Sequence, residues 1–303
     1  MKIFITGGSG FIGSHLVEKL LADGNNEVMV VARSLKPVHL THLLSHARLT
    51  ILRMDFLEGI NFEAVLKDVD IVYHLLWNSL PRKESLFIQN DLRNTVAESL
   101  RMLDGCVHNG VKKVIFASSG GTVYGKTSVE KIDESHATNP ISSYGVTKLM
   151  FEKYLHLYYH EHKLEYSILR IANAYGERQN LKVAQGVVSH WIWRALHQES
   201  IEIWGDGETV RDYIYIDDVI DAFLKVGIPG EQPFSLYNIG SGDGVLLNRL
   251  TELIIKNTGI GLNIVYKKGY KTDAPRNVLD ISRANQALSW YPQVQLGEGI
   301  IRT

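Results

Sequence analysis

Residues 5–13 of the chain read Ile5-Thr6-Gly7-Gly8-Ser9-Gly10-Phe11-Ile12-Gly13. The stretch Lys2–Thr6 predicts a short buried strand and Ile12–Ala22 predicts a helix, so the glycines occupy a strand-to-helix turn. A helix N-terminus offers unpaired N–H groups and a partial positive charge, and side chains in the turn would keep phosphate oxygens away from them. The sequence therefore predicts a turn that binds the pyrophosphate of a dinucleotide, formed by Gly7, Gly10, Phe11, Ile12 and Gly13.

Short apolar runs alternate with amphipathic stretches through the first half of the chain. The further predicted strands are Glu27–Ala32, Leu49–Arg53, Asp70–Leu75, Lys112–Ala117 and Glu165–Arg170, and the longest predicted helices are Glu84–Asn109 and Ser142–His162. Alternation of this kind favours right-handed βαβ crossovers. The predicted fold class is α/β, a doubly wound parallel sheet of the Rossmann type, with ligands at the carboxyl ends of the strands.

The spacing of strands and turns becomes irregular after Ile171. Shorter strands there alternate with turns such as Gly205-Asp206-Gly207 and Gly240-Ser241-Gly242. We therefore expect a dinucleotide-binding domain over residues 1–172 and a smaller C-terminal substrate-binding domain over residues 173–303. The stretch 212–235 reads as a strand and a helix that are expected to return to the first domain.

The bulk composition excludes several classes of protein. The 303 residues carry a formal net charge of −1 and no long basic run, which argues against nucleic acid as a partner. No apolar segment approaches the ~20 residues needed to span a bilayer, and a strand that begins at Lys2 leaves no room for a signal peptide, so we expect no membrane partner and a cytoplasmic location. Cys106 is the only cysteine, which excludes an internal disulfide and a cysteine-rich zinc site.

A tyrosine and a lysine stand four residues apart near the start of the predicted helix Ser142–His162. This spacing puts the phenol of Tyr144 and the ammonium of Lys148 on one helix face. A phenol titrates at about 10, and a neighbouring ammonium favours the phenolate, so the pair can provide a base at neutral pH. Tyr159 and Lys163 have the same spacing near the helix end, where we expect a solvated pair.

Hydroxyl groups follow the predicted strand Lys112–Ala117, in the run Ser118-Ser119-Gly120-Gly121-Thr122-Val123-Tyr124-Gly125. Side chains at the carboxyl end of a parallel strand face the ligand crevice. A hydroxyl in this place can hydrogen-bond the oxygen that loses its proton. The run therefore supplies a second element beside Tyr144.

With the glycine turn, this strand end and Tyr-x-x-x-Lys in order, the chain resembles the extended short-chain dehydrogenase/reductases along nearly its whole length. Within them it is most similar to the UDP-galactose (UDP-glucose) 4-epimerase family, also through Asn173 and Arg211-Asp212-Tyr213-Ile214. The resemblance implies that Tyr144 is the general base and that Lys148 holds the nicotinamide ribose and lowers the Tyr144 pKa. A serine or threonine is implied to assist at the sugar 4-hydroxyl. Counting forward from the strand selects Ser119, with Thr122 as the alternative.

The resemblance implies NAD as the cofactor, with NADP as the alternative. Members that use NAD usually carry an acidic residue after the second strand, but Arg33 and Ser34 stand there and could meet a 2′-phosphate. The other interpretation of Arg33 is a surface residue at a strand end. Asp55 resembles the family's adenine-contacting aspartate, or else caps the next element. The remaining residues assigned to cofactor binding are Phe56, Leu75 and Asn94. For the last two, the alternatives are core packing and an exposed helix face.

For the substrate, the resemblance implies a nucleotide sugar. Asn173 and Arg211 are implied to contact its diphosphate, because an arginine engages phosphate oxygens through a fork of donors. Trp204 stands where an aromatic residue flanks the uracil, with core packing as the alternative. Asp273 matches a family residue on the UDP ribose.

No metal site is expected, and one subunit contact is. Glu152, His156 and His160 recur every four residues, but no second cluster supplies further ligands, so a solvated or subunit-facing stripe is favoured. The helices Glu84–Asn109 and Ser142–His162 resemble those of the family's dimer. We therefore expect a homodimer whose helices form a bundle across a two-fold axis.

The motifs favour a nucleotide-sugar 4-epimerase that acts on a UDP-hexose or UDP-N-acetylhexosamine by transient hydride transfer to a bound nicotinamide. One alternative is an NADP-dependent reductase of a nucleotide-linked 4-keto sugar, which Arg33 and Ser34 support. Another is a cofactor-binding regulatory protein without catalysis. The intact set of Ser119, Tyr144 and Lys148 argues against that last alternative.

Overall fold

The computed structural model describes residues 1–78, 88–181, 186–230, 234–269 and 274–303. A seven-stranded sheet, in the order β10-β6-β5-β4-β1-β2-β3, lies at its centre. Its strands are β1 (Lys2–Thr6), β2 (Glu27–Ala32), β3 (Leu49–Arg53), β4 (Ile71–His74), β5 (Lys113–Ser119), β6 (Glu165–Ile171) and β10 (Phe234–Ile239). Every neighbouring pair is parallel. The doubly wound α/β sheet predicted from the sequence is confirmed.

The strand order reverses at β1, which pairs with β2 on one side and with β4 on the other. In an open parallel sheet, crossovers that leave in opposite directions open a crevice at the carboxyl ends of the strands, where ligands bind. The glycine turn follows β1 directly. It therefore stands at the mouth of this crevice.

Helices cover both faces of the sheet. Across the described residues they are α1 (Phe11–Ala22), α2 (Phe62–Val65), α3 (Ile88–Asn90), α4 (Ala97–His108), α5 (Ser143–His162), α6 (Val187–Leu196), α7 (Ile216–Lys225), α8 (Leu247–Thr258), α9 (Ser282–Leu288) and α10 (Leu296–Arg302). One core packs α1 and α7 against the sheet, and the other packs α4 and α5 against it. Cys106 is fully buried in the second core. None of the helices in the described ranges is long and apolar enough to cross a bilayer.

The helix predicted over Glu84–Asn109 is interrupted in its described part. Residues 84–87 lie outside the described ranges, and from Ile88 onward a short α3 leads into a π-helical turn at Asp91–Val96 before α4 begins. Such a turn carries one extra residue and often marks a functional site. Helix α5, in contrast, runs straight from a Ser142 cap, whose Oγ accepts a hydrogen bond from Gly145 N at 3.1 Å.

The rest of the chain forms two small sheets. In the first, β9 (Val210–Tyr215) pairs with β7 (Asn173–Tyr175), β11 (Gly244–Leu246) and β13 (Arg276–Asn277). The second contains β8 (Ile201–Trp204) and β12 (Ile264–Lys267). Within the stretch 212–235, β9 therefore belongs to a small sheet, while α7 packs beside α1 and β10 joins the main sheet next to β6. The domain boundary at residues 172/173 stays a prediction.

Candidate functional site

The glycine turn after β1 is shaped by backbone packing. Gly7 has a φ of +74°, a backbone conformation that residues with a side chain rarely adopt. A Cβ on Gly13 would lie 2.2 Å from the Gly7 oxygen. Gly10 caps α1 without a side-chain hydrogen bond, and the first turn holds no acidic residue. The N–H groups of Phe11 and Ile12 therefore stand at a positive helix end that no side chain of this helix neutralises. The turn fits the pyrophosphate of a dinucleotide.

The residues assigned to the adenosine half lie at the ends of β2 and β3. Arg33 and Ser34 are exposed, and Ser34 Oγ accepts a hydrogen bond from Lys36 N at 3.1 Å. Asp55 caps a short 3-10 helix, because its Oδ1 accepts from Leu57 N at 3.0 Å. The capping role weighed for this aspartate is therefore present in the structure.

The other residues assigned to the cofactor differ in their surroundings. Phe56 is 2% exposed, and its ring lies 5.6 Å from that of His74, in the core. Leu75 is partly buried, and its N donates to Thr6 O at 3.1 Å, beside the glycine turn. Asn94 is exposed in the π-helical turn. Their roles in cofactor binding stay predictions.

Helix α5 places Tyr144 against the carboxyl end of β5. The hydroxyl of Ser119 lies near the Tyr144 phenol and acts on it as a hydrogen-bond partner that favours the phenolate. Burial raises the pKa of Tyr144 to about 12, and the bond to Ser119 acts in the opposite direction. The structure thus brings together the phenol and the hydroxyl that the sequence assigned to proton transfer.

Lys148 lies one turn further along α5 and is 2% exposed. Its Nζ donates to Ala117 O at 2.5 Å and lies 5.6 Å from the centre of the Tyr144 ring. Burial holds the pKa of Lys148 well below its usual value, and the carboxylate of Glu152 partly opposes this effect. The Lys148 amino group therefore stands beside the phenol in a site that water barely reaches.

Glu152 forms an ion pair instead of a metal site. Its carboxylate accepts from Arg170 Nη2 at 2.6 Å and from Ser118 Oγ at 2.5 Å, and both charged side chains are 4% exposed. Within the described ranges no group of three His, Cys, Asp or Glu residues is placed to hold a metal ion. The pair fastens α5 to the ends of β5 and β6, one turn beyond Lys148.

Thr122, the alternative to Ser119, follows in the loop after β5. Its N donates to Ser119 O at 3.3 Å, and its Oγ1 is buried with no hydrogen-bond partner among the described residues. Asn277 lies beneath the same loop, 2% exposed, and its Nδ2 donates to Gly120 O at 3.1 Å. The hydrogen-bonding capacity of Thr122 Oγ1 is thus unused among the described residues, and Asn277 supports the loop that carries both hydroxyls.

The residues assigned to the diphosphate stand on neighbouring strands. Asn173 Nδ2 donates to Asp212 O at 2.8 Å, and Arg211 Nη1 donates to Ala274 O at 2.8 Å. Asp212 is fully buried and accepts from Ser241 N and Oγ, both at 2.7 Å, so it fixes the loop after β10. The structure brings Asn173 and Arg211 together through the small sheet.

Of the last two residues assigned to the substrate, the structure describes only Trp204. Trp204 is partly buried at the end of β8, in the two-stranded sheet. Asp273 lies outside the described residues. Sequence reasoning did not find Asp212, whose signal is only its place inside Arg211-Asp212-Tyr213, or the ion pair made by Glu152.

A chain of hydrogen bonds below the glycine turn was also missed. Ser99 Oγ donates to Thr95 O at 2.7 Å, so it accepts from His74 Nε2 at 2.9 Å, and His74 Nδ1 accepts from Thr6 Oγ1 at 2.7 Å. Burial and the nearby Lys148 charge lower the pKa of His74 to about 3. The imidazole is therefore neutral, and it joins β1, β4 and α4.

Comparison of the whole chain with known proteins identifies its family. The family model for the NAD dependent epimerase/dehydratase family matches residues 3–240. A UDP-glucose 4-epimerase of Mycolicibacterium smegmatis is 32% identical over 100% of this chain and 97% of its own length. A dTDP-4-dehydro-6-deoxyglucose reductase of Escherichia coli is 33% identical over 98% of this chain and 95% of its own length.

A solved structure of a related enzyme is similar to this chain in fold as well as in sequence. The UDP-glucose 4-epimerase of Thermotoga maritima, crystallised with UDP-glucose, is 34% identical and superposes with a TM-score of 0.91 over 100% of this chain and 97% of that one. The resemblance predicted from the motifs, to an NAD-dependent enzyme family, is confirmed. The chain belongs to the NAD-dependent epimerase/dehydratase family.

Proposed function

We propose that this protein is a nucleotide-sugar 4-epimerase that uses NAD. The observation that carries the proposal is the position of the buried Lys148, whose Nζ lies 5.6 Å from the centre of the Tyr144 ring and donates to Ala117 O on β5. The family match and the similarity to UDP-sugar 4-epimerases support it. The glycine turn and the exposed ends of β2 and β3 are the residues that would hold the cofactor.

The chemistry assigned to this chain's own residues is proton transfer. Tyr144 takes the proton of the sugar 4-hydroxyl, and it returns a proton when the configuration at C4 has been inverted. Lys148 favours the phenolate by its charge, and Ser119 hydrogen-bonds the same oxygen. The bound nicotinamide supplies the acceptor, and later the donor, of the C4 hydride.

The substrate class is a UDP-hexose or a UDP-N-acetylhexosamine. Arg211 and Asn173 lie on adjacent strands, where a guanidinium fork and an amide suit diphosphate oxygens. Trp204 and Asp273 are assigned to the uridine. A sugar whose C4 must be reached from both faces has to turn over, so we place most of the binding contacts on the nucleotide.

A second candidate function is reduction of a nucleotide-linked 4-keto sugar by NADPH. Two exposed side chains at the end of β2, Arg33 and Ser34, favour it because they suit a 2′-phosphate. The related reductase of Escherichia coli points in the same direction. A protein without catalysis is disfavoured by the buried Lys148 beside Tyr144.

The test is epimerisation of UDP-galactose and UDP-N-acetylgalactosamine without added cofactor, followed by analysis of the sugars. Tyr144→Phe should lower kcat by roughly 100- to 10,000-fold, the range of a general base. Tyr159→Phe is the matched control, because Tyr159 has the same spacing to Lys163 at the other end of α5. Consumption of NADPH with a 4-keto sugar, without epimerisation, would select the second candidate.

We further propose that the protein is a homodimer formed through the face of α5 and the segment before α4. Val146 and Leu157 lie on one side of α5, exposed by 46% and 41%. Ile88 and Leu92, exposed by 42% and 36%, border the same groove of about 320 Å³ beside Val146. Pairing about a two-fold axis would cover this apolar surface. The cytoplasmic location stays a prediction.

A further inference from the structure

Trp77 reaches the catalytic helix from the loop after β4. Its indole Nε1 donates to Thr147 Oγ1 at 3.3 Å, and Thr147 Oγ1 in turn donates to the backbone oxygens of Ser143 and Tyr144. The indole is therefore tied to the turn of α5 that lies between Tyr144 and Lys148. It is half-buried, so one edge remains at the surface of the site.

Aromatic neighbours fix the plane of this indole. Its centre lies 5.4 Å from the ring of Phe116, 5.8 Å from that of Phe151 and 5.9 Å from that of His74. Phe116 and Phe151 are fully buried. Packing on three sides, together with the bond to Thr147, leaves the ring few other orientations.

Two ring faces then enclose the ammonium of Lys148. Its Nζ lies 4.4 Å from the centre of the Trp77 ring and 4.5 Å from that of Phe116, while one N–H donates to Ala117 O. The negative face of an aromatic ring attracts a cation within about 6 Å, and the attraction grows when water is excluded. Trp77 supplies one of the two walls that hold this charge.

The charged and titratable groups around Lys148 come from three elements. Tyr144 and Glu152 lie on α5, with Glu152 neutralised by Arg170 on β6, and the neutral His74 lies on β4. The Glu152 carboxylate, which acts on Lys148, is thus already paired with Arg170. Cation–π contacts with the rings of Trp77 and Phe116 therefore contribute much of the interaction that keeps the ammonium in place.

We propose that Trp77 is a positioning residue, whose indole ring holds the Lys148 ammonium at the carboxyl end of β5, where it acts on Tyr144. The proposal rests on the proposed function, in which Tyr144 is the base. A leucine at position 77 would fill part of the space but offer neither a π face nor an N–H. A phenylalanine would keep the π face alone.

The first measurement is NMR of the Lys148 Hε protons in the protein as purified, assigned with Lys148→Met. A held side chain gives two separate Hε signals, displaced upfield by the rings. Trp77→Leu should merge them, Trp77→Phe should keep them apart, and Thr147→Val, which leaves the indole without its acceptor, should narrow the gap. Two signals in Trp77→Leu with the same separation as in the wild type would overturn the proposal.

The second measurement is the pH profile of epimerisation. Trp77→Leu should move the acid limb up by about one pH unit and lower kcat roughly tenfold at neutral pH, with a small change in KM, because a mobile cation favours the phenolate less. Trp77→Phe should recover most of the rate.

Trp290→Leu is the control for lost packing, since Trp290 is fully buried and its Nε1 donates to Asp218 O at 3.1 Å, away from the site. Trp290→Leu should lower the stability of the fold and leave the acid limb of the pH profile where it is in the wild type. An equal shift in Trp77→Phe or in Trp290→Leu would contradict the role of the ring. If the wild type epimerises no nucleotide sugar, the proposed function fails, while the NMR measurement still decides whether Trp77 holds Lys148.

Discussion

The titration of Tyr144 connects one hydroxyl to the rate of the proposed reaction. Burial raises the pKa of this phenol to about 12, and the contact with Ser119 lowers it. The base is the phenolate, whose share at a given pH below the pKa grows tenfold with each pH unit. The rate should therefore rise with pH, and each contact that favours the phenolate moves this rise to lower pH.

Ser119→Ala removes one such contact. We expect the pKa of Tyr144 to rise by about one unit, so that the phenolate share and kcat at pH 7 fall roughly tenfold and the acid limb moves to higher pH. Initial rates of epimerisation between pH 5 and 9 measure the limb. Thr122→Ala is the matched control in the same loop, and a larger shift there than in Ser119→Ala would assign the assisting hydroxyl to Thr122.

Single residues were predictable where the chemistry is local in sequence. Tyr144 and Lys148 are one helical turn apart, so their common face follows from helix geometry alone. Trp77 meets Lys148 across 71 positions of the chain, and Glu152 finds Arg170 on a strand. Such partners depend on tertiary packing, which no spacing rule contains.

At the scale of elements, the neutral His74 makes stability depend on pH. Its folded-state pKa is lowered from 6.5 to about 3, so between these values the unfolded chain binds a proton that the folded protein does not. The contribution to stability is complete above pH 6.5 and is lost as pH falls. One proton corresponds to about 1.4 kcal/mol in the free energy of unfolding for each pH unit.

His74→Gln should flatten this dependence. Urea unfolding at several values between pH 4.5 and 6.5 should show a slope shallower by close to one proton than in the wild type, besides a lower stability at pH 7 from the lost bonds to Thr6 and Ser99. His160→Gln, which removes an exposed imidazole from α5, is the comparison. Equal slopes in wild type and His74→Gln would show that His74 titrates in the folded protein.

The turn between β1 and α1 should be intolerant of a single methyl group. In Gly13→Ala the new Cβ would stand 2.2 Å from the Gly7 oxygen, so the turn must open and its N–H groups must move. Each lost bond to a charged phosphate costs about 1.5–3 kcal/mol, so NAD should bind roughly 10- to 100-fold more weakly by calorimetry. Gly261→Ala, where a Cβ meets nothing within 4 Å, should bind NAD normally.

The bounds of a helix or strand could be predicted from the sequence where local residues decide them, and not where distant residues do. Strands β1 and β2 begin and end where their apolar runs do, since a parallel strand inside the sheet needs such a run. The segment before α4 has the apolar pattern of an α-helix in its sequence. In the structure a π-helical turn at Asp91–Val96 accommodates one extra residue there, which the pattern does not predict. The sequence of β9 predicts a strand but not its partners. It pairs with β7, β11 and β13, which come from three separate parts of the chain, so tertiary packing decides the pairing.

At the scale of the whole molecule, residues from distant parts of the chain meet along one edge. Thr6 and His74 stand side by side on β1 and β4, and Ser119 pairs with Ile171 on β6. Directly after Ile171 the chain enters β7, whose Asn173 pairs with β9. The residues assigned to the cofactor, to proton transfer and to the diphosphate therefore follow the carboxyl edge of the sheet into the small sheet. Among the described residues, the opposite side of α5 carries none of these assigned residues, and it exposes Val146 and Leu157.

That free side of α5 makes the dimer testable with single charges. Val146 and Leu157 lie eleven residues apart, almost in line along the helix, and both are more than 40% exposed in the single chain. A charge placed in a covered apolar contact loses its hydration, so Val146→Lys and Leu157→Glu should each convert a dimer into a monomer in light scattering at micromolar concentration. Leu196→Glu, at an apolar residue 62% exposed at the end of α6, should leave the dimer intact. The catalytic side chains face the other way, so monomeric variants should retain part of their epimerase activity. A wild type that is monomeric at the same concentration, or a Leu196→Glu variant that alone dissociates, would place the subunit contact elsewhere.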